Sequence, residues 1–236
     1  MLIVSAFTNQ SAVQSLTASS AEGVLLSLAA VVILMCAFAC LGSKLFDRYV
    51  AYYALQSAAL AFAAAVVAAH SGEVGLWILA AITLAIKALA IPLATRRFLL
   101  GRFHLKRDIA LSTGLSRSLI AGAILTVFAY LTVARGTIGV ALVSRAVVPI
   151  AVAVVLLGAL CMVVRRHTIA QLIGWLIIEN GVFLGAIASV ATFPFIVEAG
   201  VFLDLVAAVL IMITFVSGLA RQLAEASASE LRQLSA

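Results

Sequence analysis

The chain has 236 residues, 65% of them hydrophobic and 10% charged, with a mean hydropathy of +1.26. A soluble domain carries about 25% charged and about 45–50% apolar residues, so this composition excludes an ordinary soluble fold. The formal net charge of +6 is no nucleic-acid signature, because most of the basic residues fall in particular loops and in the tail, which is a membrane-topology pattern.

In chain order the apolar runs cover roughly 22–41, 50–70, 74–94, 115–133, 141–163, 169–191 and 195–217. Each is long enough to cross a hydrocarbon core of about 30 Å as a helix. None alternates in polarity as a barrel strand does, and only helices or closed barrels satisfy their backbone groups in lipid. The predicted fold is an all-α integral membrane protein of about seven transmembrane helices. Residues 1–21 lack a positively charged n-region, so the first run is read as a retained helix starting near Glu22.

Cys36 and Cys40 in the first run and Cys161 in the fifth lie among apolar residues, with no His or carboxylate nearby to complete a metal site. Packing is the expected role of all three. The third run carries Lys87 and ends near Pro92. Between it and the fourth run lies a basic link, 95–114, holding Arg96, Arg97, Arg102, Lys106 and Arg107 with interleaved Phe98, Leu99, Leu100 and Phe103. Such a segment suits a membrane surface, with its cations among the headgroups. Pro149 inside the fifth run is expected to kink it. The sixth run holds Glu179 and Asn180, and the seventh holds Asp204, with Glu198 near its outer end. His70, His104 and His167 fall near helix ends or in loops, as interface residues do.

The charges assign the sides. Loops after runs one, three and five, with the tail, hold Lys44, Arg48, Arg96, Arg97, Arg102, Lys106, Arg107, Arg117, Arg165, Arg166, Arg221 and Arg232; the opposite loops hold Arg135 and Arg145. By the positive-inside rule the N-terminus is outside and the C-terminus cytoplasmic. The organisation that follows is an N-terminal three-helix block (1–94), the basic link (95–114), a four-helix block (115–220) and a cytoplasmic tail (221–236).

Lys87, Glu179 and Asp204 are ionisable residues well inside apolar runs. A charge at mid-bilayer costs about 2.5–3.5 kcal/mol on insertion scales, so such residues face a bundle interior or a water path, and proton relays are a standard use. Counted at about 1.5 Å per residue, all three come out near the midplane. Asn180 is placed to support Glu179 by hydrogen bonding. The bland alternative is a pair, with Lys87 and a carboxylate locking helices together.

The stretch LLGALCMVVRRHTIAQLIGWLIIENGVFLGAIAS, followed by FLDLVAAVLIMI, resembles the K subunit of bacterial respiratory complex I and the C subunit of multisubunit sodium/proton antiporters. Those are three-helix subunits: a basic turn (here Arg165, Arg166), a Leu-Ile-Gly helix with an acid, and a last helix with a second acid. The likeness covers about 150–220, with a three-helix unit at about 141–217. The whole chain, including ITLAIKALAIP around Lys87, resembles hydrogenase-4 component E, a membrane subunit of formate hydrogenlyase-type group 4 [NiFe] hydrogenase complexes. The C-terminal stretch departs from chain K in two respects: there the second acid is Glu, here Asp204, and there the first acid follows the Gly by two residues, here Leu176, whereas this chain has Glu179. Three residues keep roughly the same helix face and move the carboxyl about 4.5 Å along the axis.

The resemblance implies a non-catalytic subunit in a bacterial or archaeal inner membrane. Its relay residues would be Glu179, Asp204 and Lys87. Its partners would be antiporter-like and anchor membrane subunits, and cytoplasmic subunits carrying the [NiFe] site and iron–sulfur clusters. No cofactor or metal is expected in this chain itself, which has no CxxC pair and no Gly-rich phosphate loop. Two other functional classes fit the same composition: a pure scaffold, and an independent small-molecule or ion transporter, although no inverted repeat is evident.

Overall fold

The structure is a computed structural model that describes residues 2–95, 114–136, 146–166 and 168–189. These residues form six helices and no strand. Helix α1 spans Leu2–Gly42, α2 Phe46–Ser71, α3 Val74–Thr95, α4 Leu115–Gly136, α5 Val147–Val164 and α6 Thr168–Ser189. Each contains a segment long and apolar enough to cross a membrane, so the architecture is a multi-pass helical one. The seventh run, 195–217, with Asp204 and Glu198, lies outside the described residues, as does the basic link between 96 and 113.

Two sequence expectations need correction. The first helix was expected to begin near Glu22, but α1 begins at Leu2, and only its part Ala21–Gly42 is apolar enough to span. Hydropathy marks where lipid can be met, not where a helix ends, and residues 2–20 contain no Gly or Pro to stop one. Pro149 was expected to kink the fifth helix. It is instead the third residue of α5, where the backbone nitrogen has no intrahelical acceptor to lose.

The helices pack along seams with a four-three spacing. Buried residues recur at Leu26, Ala30, Ile33, Ala37 and Cys40 in α1, and at Tyr49, Tyr53, Gln56, Leu60, Ala63 and Val67 in α2. The same step recurs at Val147, Ala151, Val154 and Cys161 in α5 and at Ile173, Ile177, Asn180, Leu184 and Ile187 in α6. An average of 3.5 residues is the repeat that keeps one face of a helix against its partner in a left-handed bundle, the common arrangement in membranes. Helices α1, α2, α5 and α6 form the centre. Helix α3 packs on α2, and α4 packs on α5 and α1.

Small residues let α5 and α6 approach closely. A Cβ built on Gly158 would lie 2.7 Å from the backbone nitrogen of Ile178, and one on Gly181 would lie 2.8 Å from that of Val155. These clashes are with backbone, which cannot swing aside, so the contact requires glycine. In lipid, where apolar burial gives helices little reason to associate, such close packing supplies the attraction. Gly72 has a different task. At φ 71° it ends α2 in the left-handed region, donating its N–H to Ala68 O, and turns the chain into α3.

Candidate functional site

The middle of α3 is not an α-helix. Residues Thr83–Ala90 form a π-helical segment, and the N–H of Ile91 bonds to the carbonyl of Ile86, five residues back. π-Turns inside α-helices are rare and often mark functional sites. Here the wider turn puts Thr83, Lys87 and Ala88 on the buried side, while Leu84, Ile86 and Leu89 face outward.

Lys87 meets α6 at this point. Its Nζ lies 3.2 Å from Glu179 Oε1, and the two side chains are 1% and 2% exposed. The same amine donates to Asn180 Oδ1 at 3.4 Å. It also stands 5.8 Å from the centre of the Phe183 ring, a cation–π distance. Asn180 passes the network on to α2, its amide nitrogen donating to Gln56 Oε1 at 3.3 Å and to Ser57 Oγ at 3.1 Å. Gln56 in turn donates to the carbonyl of Ile33 in α1 at 3.1 Å. One connected polar centre therefore touches four helices.

Depth is consistent across the three helices that supply its side chains. Lys87 is about 13 residues into α3, Glu179 about 11 into α6, and Gln56 about 10 into α2, so each lies about 15–20 Å along its own helix. Of the residues singled out from sequence, the structure brings Lys87, Glu179 and Asn180 together. Asp204 lies outside the described residues. His70 sits in the last turn of α2 with Nδ1 2.9 Å from Val66 O, away from this centre. Cys36, Cys40 and Cys161 are buried free thiols.

A second buried polar cluster was missed. Arg165, counted above as a loop cation, is 1% exposed. Its Nη2 donates to the carbonyls of Cys40 at 2.7 Å, Leu41 at 3.1 Å and Ser43 at 2.7 Å. Cys40 and Leu41 belong to the last turn of α1, whose carbonyls the helix itself leaves short of donors, and a cation there also meets the negative end of the helix dipole; Cys40 O accepts from the Ser43 N–H as well, at 3.3 Å. The guanidinium lies 5.0 Å from the centre of the Tyr49 ring, and the Tyr49 hydroxyl donates to Ala170 O at 2.9 Å. Gln171 closes the cluster by donating to Arg165 O at 2.9 Å. The turns α1–α2 and α5–α6 are thereby clamped at one end of the bundle, the end that also carries the exposed Lys44 and Arg166.

Gln56, Ser57, Tyr49 and Tyr53 also escaped the sequence reading, which looked only for formal charges. The signal was present: Tyr49, Tyr53 and Gln56 sit on one four-three seam of an otherwise apolar run.

No family model, curated protein or solved structure matches the chain. Its functional reading therefore rests on the residues themselves. Chemically, the central site offers an ammonium and a carboxylate in contact, flanked by amide and hydroxyl groups that both donate and accept. Such a set can hold, shift and pass on protons without a cofactor.

Proposed function

We propose that the chain is a membrane subunit of a complex I-like, hydrogenase-type redox complex and that the Lys87–Glu179 centre belongs to a proton-relay path. The observation that carries this reading is the ion pair itself: two titratable groups in contact near mid-span, held in a hydrogen-bonded network instead of facing lipid. Intramembrane ionisable residues are costly and are retained where a path for ions or protons runs. Asp204 is proposed as the next member, on the helix that would follow α6. The resemblance in the C-terminal stretch supports the same assignment and suggests antiporter-like and anchor subunits as neighbours.

The scaffold reading has one specific observation in its favour: the centre also ties four helices together. The two separate in a variant that removes titration without stranding a charge. Lys87→Met/Glu179→Gln and, separately, Asp204→Asn are expected to leave subunit content in native membranes unchanged and to abolish or strongly impair coupled proton translocation. Adding Asp204→Asn to the pair variant should cost little more, because members of a serial path act as a unit. Full translocation at normal subunit content in the pair variant would establish the scaffold instead.

The orientation belongs to this proposal too. The end clamped by Arg165 is placed in the cytoplasm, with the N-terminus outside, in a bacterial or archaeal inner membrane. Ser71→Cys, at the far end of α2, should react with an impermeant thiol reagent applied to intact cells, and Ser112→Cys in the basic link should react only after the membrane is opened. The reverse pattern inverts the topology.

A further inference from the structure

Lys87 Nζ is flanked by oxygens of the kinds that ligate hard monovalent cations. One is a carboxylate oxygen, Glu179 Oε1, in an ion pair at 3.2 Å, and another is an amide oxygen, Asn180 Oδ1, which accepts from the amine at 3.4 Å. Asn180 is fixed in that orientation, because its amide nitrogen is committed to Gln56 and Ser57 and its oxygen must therefore point toward the amine. The aromatic face of Phe183, at 5.8 Å from Nζ, adds a further cation-favouring surface. Together these form a cation site whose occupant is covalently attached to the protein. A tethered ammonium competes at very high effective concentration, so a free ion must displace it from this contact.

We propose that Lys87 is the selectivity element of this centre: its ammonium is a built-in surrogate for Na⁺ or K⁺, closing the site to metal cations. This deepens the relay reading and rests on it for its functional meaning, since a centre closed to metal ions leaves the proton as the ion exchanged there. The closure itself is a binding property, measurable on the purified protein without any parent complex.

The test is sodium binding to the purified chain in detergent, read as retained radioactive sodium and as thermal stability in NaCl against choline chloride at equal ionic strength. The wild-type protein is expected to retain no sodium and to melt identically in the two salts. Lys87→Ala vacates the site and should acquire a saturable, Na⁺-specific rise in melting temperature with stoichiometric sodium retention, and both should vanish in Lys87→Ala/Glu179→Gln. Should Lys87→Ala not fold, Lys87→Gln keeps the stem and an amide while freeing the carboxylate, and the same gain is expected. Saturable sodium binding by the wild-type protein that Glu179→Gln removes overturns the proposal, and so does a folded Lys87→Ala or Lys87→Gln protein that gains no sodium dependence. Either failure leaves the relay reading intact, because that reading stands or falls on translocation by the neutral pair variant.

Discussion

Replacing Arg165 by alanine is expected to destabilise the bundle more than any other change of a loop cation. The substitution removes the guanidinium donor from the carbonyls of Cys40, Leu41 and Ser43, while Cys40 O keeps the Ser43 N–H as a second donor. Hydrogen bonds to charged groups are worth about 1.5–3 kcal/mol each, and more than one is lost, so a cost of about 3 kcal/mol or more is expected. Lysine keeps the charge but not the planar fork and the ring stacking, so Arg165→Lys should recover only part of the loss. Arg166, exposed beside it, gives the control: Arg166→Ala should be near neutral. The three buried thiols provide the readout, since a thiol-reactive fluorophore reaches Cys36, Cys40 and Cys161 only as the helices separate. Equal melting temperatures for Arg165→Ala and Arg166→Ala would remove the clamp from the description.

The second large effect is expected at the central pair, and its signature is non-additivity. Lys87→Met takes the ammonium away from buried Glu179, and Glu179→Gln takes the carboxylate charge away from buried Lys87. Breaking a buried pair on one side typically costs about 3–5 kcal/mol, whereas replacing both charges by neutral groups of similar volume is often nearly neutral. Each single variant should therefore melt well below wild type, and Lys87→Met/Glu179→Gln should regain most of the loss. The bonds from Asn180 to Gln56 and Ser57, and from Gln56 to the Ile33 carbonyl, remain available in the double variant and hold α6, α2 and α1 in register. A double variant as unstable as the sum of the singles would mean that the two charges do not interact in the membrane.

Much of the fold was legible because lipid imposes strong rules. Length and hydropathy located the apolar segment of every described helix, and the depth count from helix ends put Lys87 and Glu179 at one level. Which partner Lys87 takes was not legible, since counting residues put Glu179 and Asp204 at similar depth; the structure shows the amine against Glu179, while Asp204 lies outside the described residues. The π-segment at Thr83–Ala90 was invisible for another reason: its sequence, TLAIKALA, is ordinary apolar helix with no Gly or Pro to mark a change of turn. Arg165 was misread because positive-inside counting treats every basic residue near a helix end as a solvated charge. Burial depends on where the neighbouring helix stops, and α1 stops with its carbonyls facing this side chain. The four-three seams were written in the sequence, but alanine and valine fill buried and lipid-facing positions alike. The contrast that reveals an amphipathic helix in water is therefore largely absent.

A relay requires that Glu179 change its protonation state during turnover, whereas a structural ion pair requires that it never does. Infrared difference spectroscopy on native membranes holding the proposed complex reads this directly, through the carboxyl C=O band and its shift on exchange into heavy water. The expected result is a turnover-dependent carboxyl band that is absent in the Lys87→Met/Glu179→Gln variant and retained when Arg166 is replaced by alanine. Coupled proton translocation with no band assignable to Glu179 would contradict the relay and leave the pair as a lock between helices.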